Sequence, residues 1–430
     1  SKCTFESKMV KKNIDFIFLS SVILAVCVYA KIIPLPQNSK IESLFCPDEI
    51  TVLEGTIVSN PVKVSDKYYS ALLKTKSCKN LKNSFSSCKG LQTVFIPASL
   101  IEAHYPGKLF SKAENINSNI LPVEKGIQFS AVVKNSASKT GSSFFIVEKI
   151  NSSYFEKTFF SKIKKSRALC RIQFKRLMSC WGKAGSLLLA LLTGSREYLE
   201  KSFSNSFKFS GLSHILALSG MHLTAISSLA GVIEKRTALK KAGILIQFSV
   251  ITLFVWFAGF SPSLLRAFIT YILLALCSLF NIKVKSRLSV LSCTFLIHSI
   301  ISPLDLYNTG FLLSYGALSG ILLLSPVINS ATSKYIPASI SDSLSASISA
   351  NCFTFPVSVK TFGFFSPAGI ICTLFVSPII TLFLYAGIVL ILLSFLFPPL
   401  SLFSNILLNC VYSIIEKTVN FWSFIPVIKF

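Results

Sequence analysis

His214, Ser219, Gly220 and His222 stand in one otherwise apolar run, GLSHILALSGMHL. Ionisable side chains at membrane depth cost several kcal/mol unless they face a bundle interior or water, which makes them functional candidates. The alternative reading is hydrogen bonding across helices as structural glue. Gly220 is expected to interrupt the helix, a break tolerated where backbone lines a cavity or is buried in protein. The spacing puts the two imidazoles about 80° apart on an ideal helix. A third metal ligand would have to come from His298 or Asp305, so no metal site is expected. A hydrolase built on Ser219 and a histidine lacks a G-x-S-x-G elbow. No G-x-x-x-x-G-K-[ST] loop is present, so the chain is not expected to hydrolyse ATP. Arg266, in SPSLLRAF with Ser263, lies about one turn into an apolar stretch. It either snorkels to headgroups or offers its planar fork to phosphate inside a bundle. GFLLSYGALSG, from Gly310 to Gly320, spaces small residues for close helix packing and leaves Ser314 and Tyr315 available to a lumen.

The elements that must hold these groups are set by composition. Of 430 residues, 52% are hydrophobic, 14% are charged and 38 are Phe. With a mean hydropathy of +0.63, this is the balance of a polytopic membrane protein and excludes disorder, collagen and a small disulfide scaffold. A net charge of +25 admits anionic lipid or nucleic acid as a partner. The 12 Cys form no C-x-x-C pair, and most lie in apolar runs where a thiol acts as a small hydrophobe.

Four segments follow along the chain. Residues 1–36 carry Lys2, Lys8, Lys11 and Lys12 ahead of an apolar run, Ile14 to Ile33, about long enough to cross a bilayer. The run is read as a retained anchor with its amino end in the cytoplasm, since it is long for a signal peptide. Residues 37–152 contain five alternating runs, Ile50–Ser59, Tyr68–Lys76, Leu91–Ser99, Ile127–Lys134 and Ser143–Lys149. They predict a small five-stranded β-barrel of OB or SH3-like topology. Cys78 and Cys88 flank a Lys/Ser/Asn-rich loop there. On the oxidising side of a membrane they would pair, and otherwise they are two free loop thiols. Residues 153–184 predict an amphipathic helix, its apolar face formed by Phe155, Phe159, Ile163, Cys170, Phe174, Leu177 and Trp181. Lys164, Lys165, Arg171, Lys175 and Arg176 are among the cations on the other face. It is read as an interfacial helix that anchors to anionic headgroups or guides a polyanion.

From residue 185 onward the chain predicts spans at Leu212–Ile233, Ala242–Phe260, Leu264–Phe280, Leu288–Ser302, Gly310–Ile328, Leu344–Val359, Ala368–Leu396 and Leu400–Phe424. Leu187–Leu192 is too short to cross alone, and Pro378 makes Ala368–Leu396 one kinked span or two short ones. Basic residues fall in alternate connections: Lys235, Arg236, Lys240 and Lys241, then Lys283, Lys285 and Arg287, then Lys334. This alternation predicts those connections inside and the β-domain outside the cytoplasmic membrane.

Three stretches in order, LLALLTGSREYLEKSFSNSFKFSGLSHILALSGMHL, GFSPSLLRAFITYILLAL and LDLYNTGFLLSYGALSGILLL, resemble the signature series of the ComEC competence family. That family forms the channel through which transformable bacteria take DNA across the cytoplasmic membrane. The resemblance implies an external OB-fold-like domain ahead of a polytopic channel domain, single-stranded DNA as cargo, and an external DNA receptor and a cytoplasmic translocase as partners. It implies no cofactor and no catalytic role. The family's H-L-L-A-I-S-G-L-H-type motif falls on His214, Ser219, Gly220 and His222, and its S-P-S-x-x-R-A motif on Ser261, Pro262, Ser263 and Arg266. The G-F-Q-L-S-type motif falls on Gly310, Phe311 and Ser314, with Leu312 where the family commonly has Gln. Many members continue into a metallo-β-lactamase-like domain. No His-x-His-x-Asp-His cluster occurs up to Phe430, so strand degradation is expected to come from elsewhere or not to occur. The competing expectations are a transporter of a small or lipid-linked anion and an intramembrane hydrolase using His214 and His222.

Overall fold

The computed structural model describes residues 16–29, 46–80, 84–102, 123–137, 143–234, 240–284, 286–397 and 399–430. They form two compact units, one of Gln37–Leu189 and Ser195–Tyr198, the other of Ser1–Pro36, Ala190–Gly194 and Leu199–Phe430. The first is rich in sheet and the second is helical.

In the sheet unit the main strands are β1 (Ile50–Ile57), β3 (Tyr68–Asn80), β4 (Phe85–Pro97), β5 (Gln128–Ala137) and β6 (Ser143–Tyr154). A two-residue β2 (Val62–Lys63) and a short helix α2 (Ala98–Glu102) complete the set. Alternation of buried and exposed positions along β3 and β4 is the period-2 signature of strands with one face inward. β1 pairs antiparallel with both β3 and β5, β3 with β4, and β5 with β6, while β4 and β6 run parallel at Val94–Phe145. Pairing therefore returns on itself as a ring of strands. Its interior holds Leu53, Ile57, Tyr69, Leu73, Val94, Ile96, Phe129 and Phe145. β3 and β4 run farther than their sequence suggests, because Cys78 and Cys88 lie within the strands rather than in a loop. They are disulfide-bonded with Cα atoms 6.2 Å apart, inside the range that a bridge requires.

The basic segment forms α3 (Phe159–Cys180), capped by Thr158, whose hydroxyl accepts from the Ser161 amide. It belongs to the sheet unit, and Ile172 joins the core of the strand ring. This corrects the expectation that Arg171, Lys175 and Arg176 lie on an outward-facing cationic face. Arg171, Lys175 and Arg176 are buried. Arg171 pairs with Glu124 at 3.4 Å, and Lys175 bridges Glu124 at 3.5 Å and Glu197 at 3.0 Å. The Ser195 hydroxyl donates to the same Glu197 carboxylate. Lys164 and Lys165 remain exposed. On the expected apolar face, Phe159, Ile163 and Cys170 are exposed, whereas Phe174, Leu177 and Trp181 are buried. Leu187–Leu192 falls in the last half of α4 (Gly182–Thr193), with Leu187 to Leu191 wholly buried.

The helical unit contains α1 (Phe16–Tyr29), α5 (Lys201–Phe209), α6 (Gly220–Glu234), α7 (Lys240–Ala258), α8 (Pro262–Leu279) and α9 (Arg287–Ile301). These are followed by α10 (Thr309–Thr332), α11 (Ala338–Phe362), α12 (Ala368–Leu396) and α13 (Leu400–Ser423). Pro262–Leu279, Thr309–Thr332 and Ala368–Ser394 are long and apolar enough to cross a bilayer. One expectation is revised and one open alternative is decided. The run expected to span from Leu212 is irregular as far as Ser219, and its helix starts only at Gly220. α12 passes through Pro378 as one helix. α1 is part of the bundle: Val28 is buried, the Tyr29 hydroxyl donates to the Leu306 carbonyl, and the Tyr307 hydroxyl donates to the Val28 carbonyl. α10 and α11 approach closely because Gly320 presents no side chain where the Ser349 carbonyl and the Phe353 ring sit. Hydrogen bonds between Ser325 and Ser345, and between Asn329 and Asp342, continue this seam, the usual adhesive of helices without a hydrophobic driving force.

Candidate functional site

Each of the three motifs proves to be a helix start. Ser219 precedes α6, and His222 reaches back so that its Nδ1 accepts from the Ser219 amide at 3.1 Å. A side chain in the first turn satisfying the cap residue's N–H is the logic of a capping box, here with histidine in place of glutamate. The Ser219 hydroxyl lies 3.2 Å from the same nitrogen. With Nδ1 accepting, the ring proton sits on Nε2, which is buried without a hydrogen-bond partner. Ser261 caps α8 by accepting from the Leu264 amide, and Pro262 occupies the first helical position, where its missing N–H leaves nothing unpaired. Asn308 caps α10 through the Gly310 amide at 2.8 Å. Arg266 and Ser314 therefore sit one to two turns inside their helices.

These starts converge. Arg266 Nη1 donates to the Ser314 carbonyl at 3.5 Å, and the Ser314 hydroxyl donates to the Ser263 hydroxyl at 3.2 Å. Gly220 faces the same guanidinium, since a Cβ there would lie 3.5 Å from Arg266 Nη2. Arg266 is half-buried, its Nε has no hydrogen-bond partner, and no carboxylate lies within ion-pair distance among the described residues. Three helix amino ends, each carrying positive dipole, thus surround an uncompensated cation. The chemistry is that of an anion site. It brings together Ser219, Gly220, Ser263, Arg266 and Ser314, with His222 one turn along. His214 stands outside this set: it is exposed, and its Nδ1 lies 3.2 Å from the Gly211 carbonyl. No cluster of metal-binding residues occurs among the described residues.

Deeper polar contacts continue from the site. Thr270, one turn after Arg266, meets Thr294 of α9 at 3.2 Å. Gln247 of α7 donates to the Ser227 hydroxyl at 2.9 Å and accepts from the Tyr271 hydroxyl at 3.2 Å. Sequence reasoning passed over Gln247, although a lone amide amid GILIQFSVITLF was the signal. It also passed over Glu124 and Glu197, for which no local pattern exists.

The fold is that of a membrane protein with a helical bundle and a sheet-rich domain. A family model described as Competence protein matches residues 191–430. The chain belongs to this family, the ComEC competence family. It is also 27% identical over 143 residues to ComE operon protein 3 of Bacillus subtilis (strain 168), a stretch covering 33% of this chain and 18% of that protein. No solved structure matches the chain.

Proposed function

We propose that the protein is a channel that passes single-stranded DNA across the cytoplasmic membrane during natural transformation. One observation carries this reading: a guanidinium with no carboxylate to answer it, set among three helix amino ends inside an apolar bundle. Such a cation is costly in hydrocarbon and is answered by phosphodiesters as they pass. The sheet unit supports the reading. Counting its five long strands in order, they pair 1-2-3-5-4-1 with the third and fifth parallel, which is how an OB-type barrel is wound, a fold suited to oligonucleotides. We read it as external, where a disulfide persists. An external receptor and a cytoplasmic translocase supply and pull the strand, and the chain itself performs no hydrolysis. The Ser219–His222 contact does not favour a hydrolase, because the only nitrogen able to act as base is already held by the Ser219 amide.

A second observation supports an orientation. β7 (Phe364–Phe365) pairs with β8 (Ile428–Lys429), so the last residues lie beside the turn between α11 and α12. With Lys283, Arg287 and Lys334 at the opposite ends of the helices, that turn and Phe430 are read as external. The test is DNase-protected uptake of labelled DNA in cells lacking the gene and complemented with wild type or Arg266→Ala. Loss on deletion and a large drop with Arg266→Ala are expected; uptake unchanged by deletion would remove the channel reading. A membrane-reconstituted protein whose oligonucleotide binding ignored salt would point instead to a small-anion transporter.

A further inference from the structure

His298 is the one described histidine whose two ring nitrogens are both engaged by side chains. Its Nε2 lies 3.3 Å from the Asp305 carboxylate and its Nδ1 3.2 Å from the Tyr315 hydroxyl. The ring is wholly buried, packed edge-on against Phe311 at 4.9 Å between centroids. Phe295 and Phe311 also enclose Tyr315. With a neutral imidazole, Nε2–H donates to the carboxylate and Nδ1 accepts from the Tyr315 hydroxyl, so that every group is satisfied. A carboxylate, an imidazole and a phenol drawn from a short turn (Pro303–Tyr307), α9 and α10 are thus threaded into a directed chain. Structural glue would need only one such bond.

The chain ends beside the anion site. Tyr315 follows Ser314, whose carbonyl receives Arg266 and whose hydroxyl meets Ser263. In that arrangement the Tyr315 proton points to His298, and its oxygen turns lone pairs toward its surroundings. The position of the Ser314 carbonyl depends on how α10 is rotated, and that rotation is pinned one residue later by the bond to His298.

We propose that Asp305, His298 and Tyr315 are the positioning residues of Arg266: the chain fixes the first turns of α10 so that the Ser314 carbonyl holds one guanidinium nitrogen and leaves the others for phosphodiester oxygens. This rests on the reading of Arg266 as a phosphate-binding group. The readout is binding of a labelled single-stranded oligonucleotide by the full chain in lipid nanodiscs, with DNase-protected uptake in parallel and membrane abundance by immunoblot. Tyr315→Phe, which keeps the packing and removes only the hydroxyl, and His298→Ala are each expected to weaken binding about tenfold, the scale of coupling between groups in one network. His298→Gln, which retains a donor and an acceptor, is expected to restore binding to within about threefold. Combined with Arg266→Ala, Tyr315→Phe is expected to add nothing, because its effect runs through the group already removed. Additive losses in the double variant, or wild-type binding by Tyr315→Phe at normal abundance, would overturn the positioning role while leaving Arg266 intact. An Arg266→Ala protein that binds like wild type would instead bring down the anion site on which the proposal stands.

Discussion

Gly220 faces the Arg266 guanidinium where α6 meets α8. A methyl there would meet Arg266 Nη2 at 3.5 Å, ordinary contact distance, whereas a branched side chain would occupy the space of the guanidinium. Gly220→Ala is therefore expected to support near-normal DNA uptake, and Gly220→Leu to lower it at least about tenfold at unchanged abundance. Equal, severe loss in both would show that the position serves backbone conformation instead. The sequence around this glycine was readable in part. It grouped His214 with Ser219, Gly220 and His222; in the structure His222 contacts Ser219, and His214 stands apart. It also suggested a partnership of His214 with His222, which a continuous helix would allow and an irregular segment before Gly220 does not. Capping is hard to distinguish from catalysis in a single sequence, because a serine with a histidine close by is compatible with both.

At the scale of elements, α3 divides its cations between two tasks. Lys175 is buried between Glu124 and Glu197, so Lys175→Ala strands charge in the interior and is expected to cost about 3 kcal/mol or more, seen as a lowered melting temperature of the purified protein. Lys164→Ala with Lys165→Ala touches only exposed side chains. It is expected to leave the melt within about 0.5 kcal/mol and to reduce the salt dependence of single-strand binding by roughly 0.7 per lysine. A double variant with an undiminished salt slope would exclude the exposed half of α3 from the path of the strand. The helix itself was legible from its 3.6-residue period. The partners of Arg171 and Lys175 were not, because Glu124 and Glu197 lie on segments that only the folded chain brings near. The strands were legible from alternation, except at the inner ends of β3 and β4. There SCKN and SSCK have the composition of a loop, yet the chain stays extended and bridged by Cys78 and Cys88.

For the molecule as a whole, the count of crossings is the property that the sequence left undetermined, since Pro378 allowed Ala368–Leu396 to be one kinked span or two short ones. The pairing of Phe364 with Lys429 supplies the missing constraint. An epitope placed after Phe430 is expected to be accessible in intact spheroplasts, and one inserted between Glu234 and Lys240 only after permeabilisation. The reverse pattern would invert the proposed topology.

The reciprocal tyrosines that hold α1 also bear on biogenesis. Tyr29 and its acceptor at Leu306 are 277 residues apart, a distance a ribosome covers in roughly 15–55 s at ordinary elongation rates. For that interval α1 must wait in lipid without its final neighbour while α5 to α9 are made. Its retention during synthesis thus depends on its own hydrophobicity, and its lock closes only when the Pro303–Tyr307 turn is delivered.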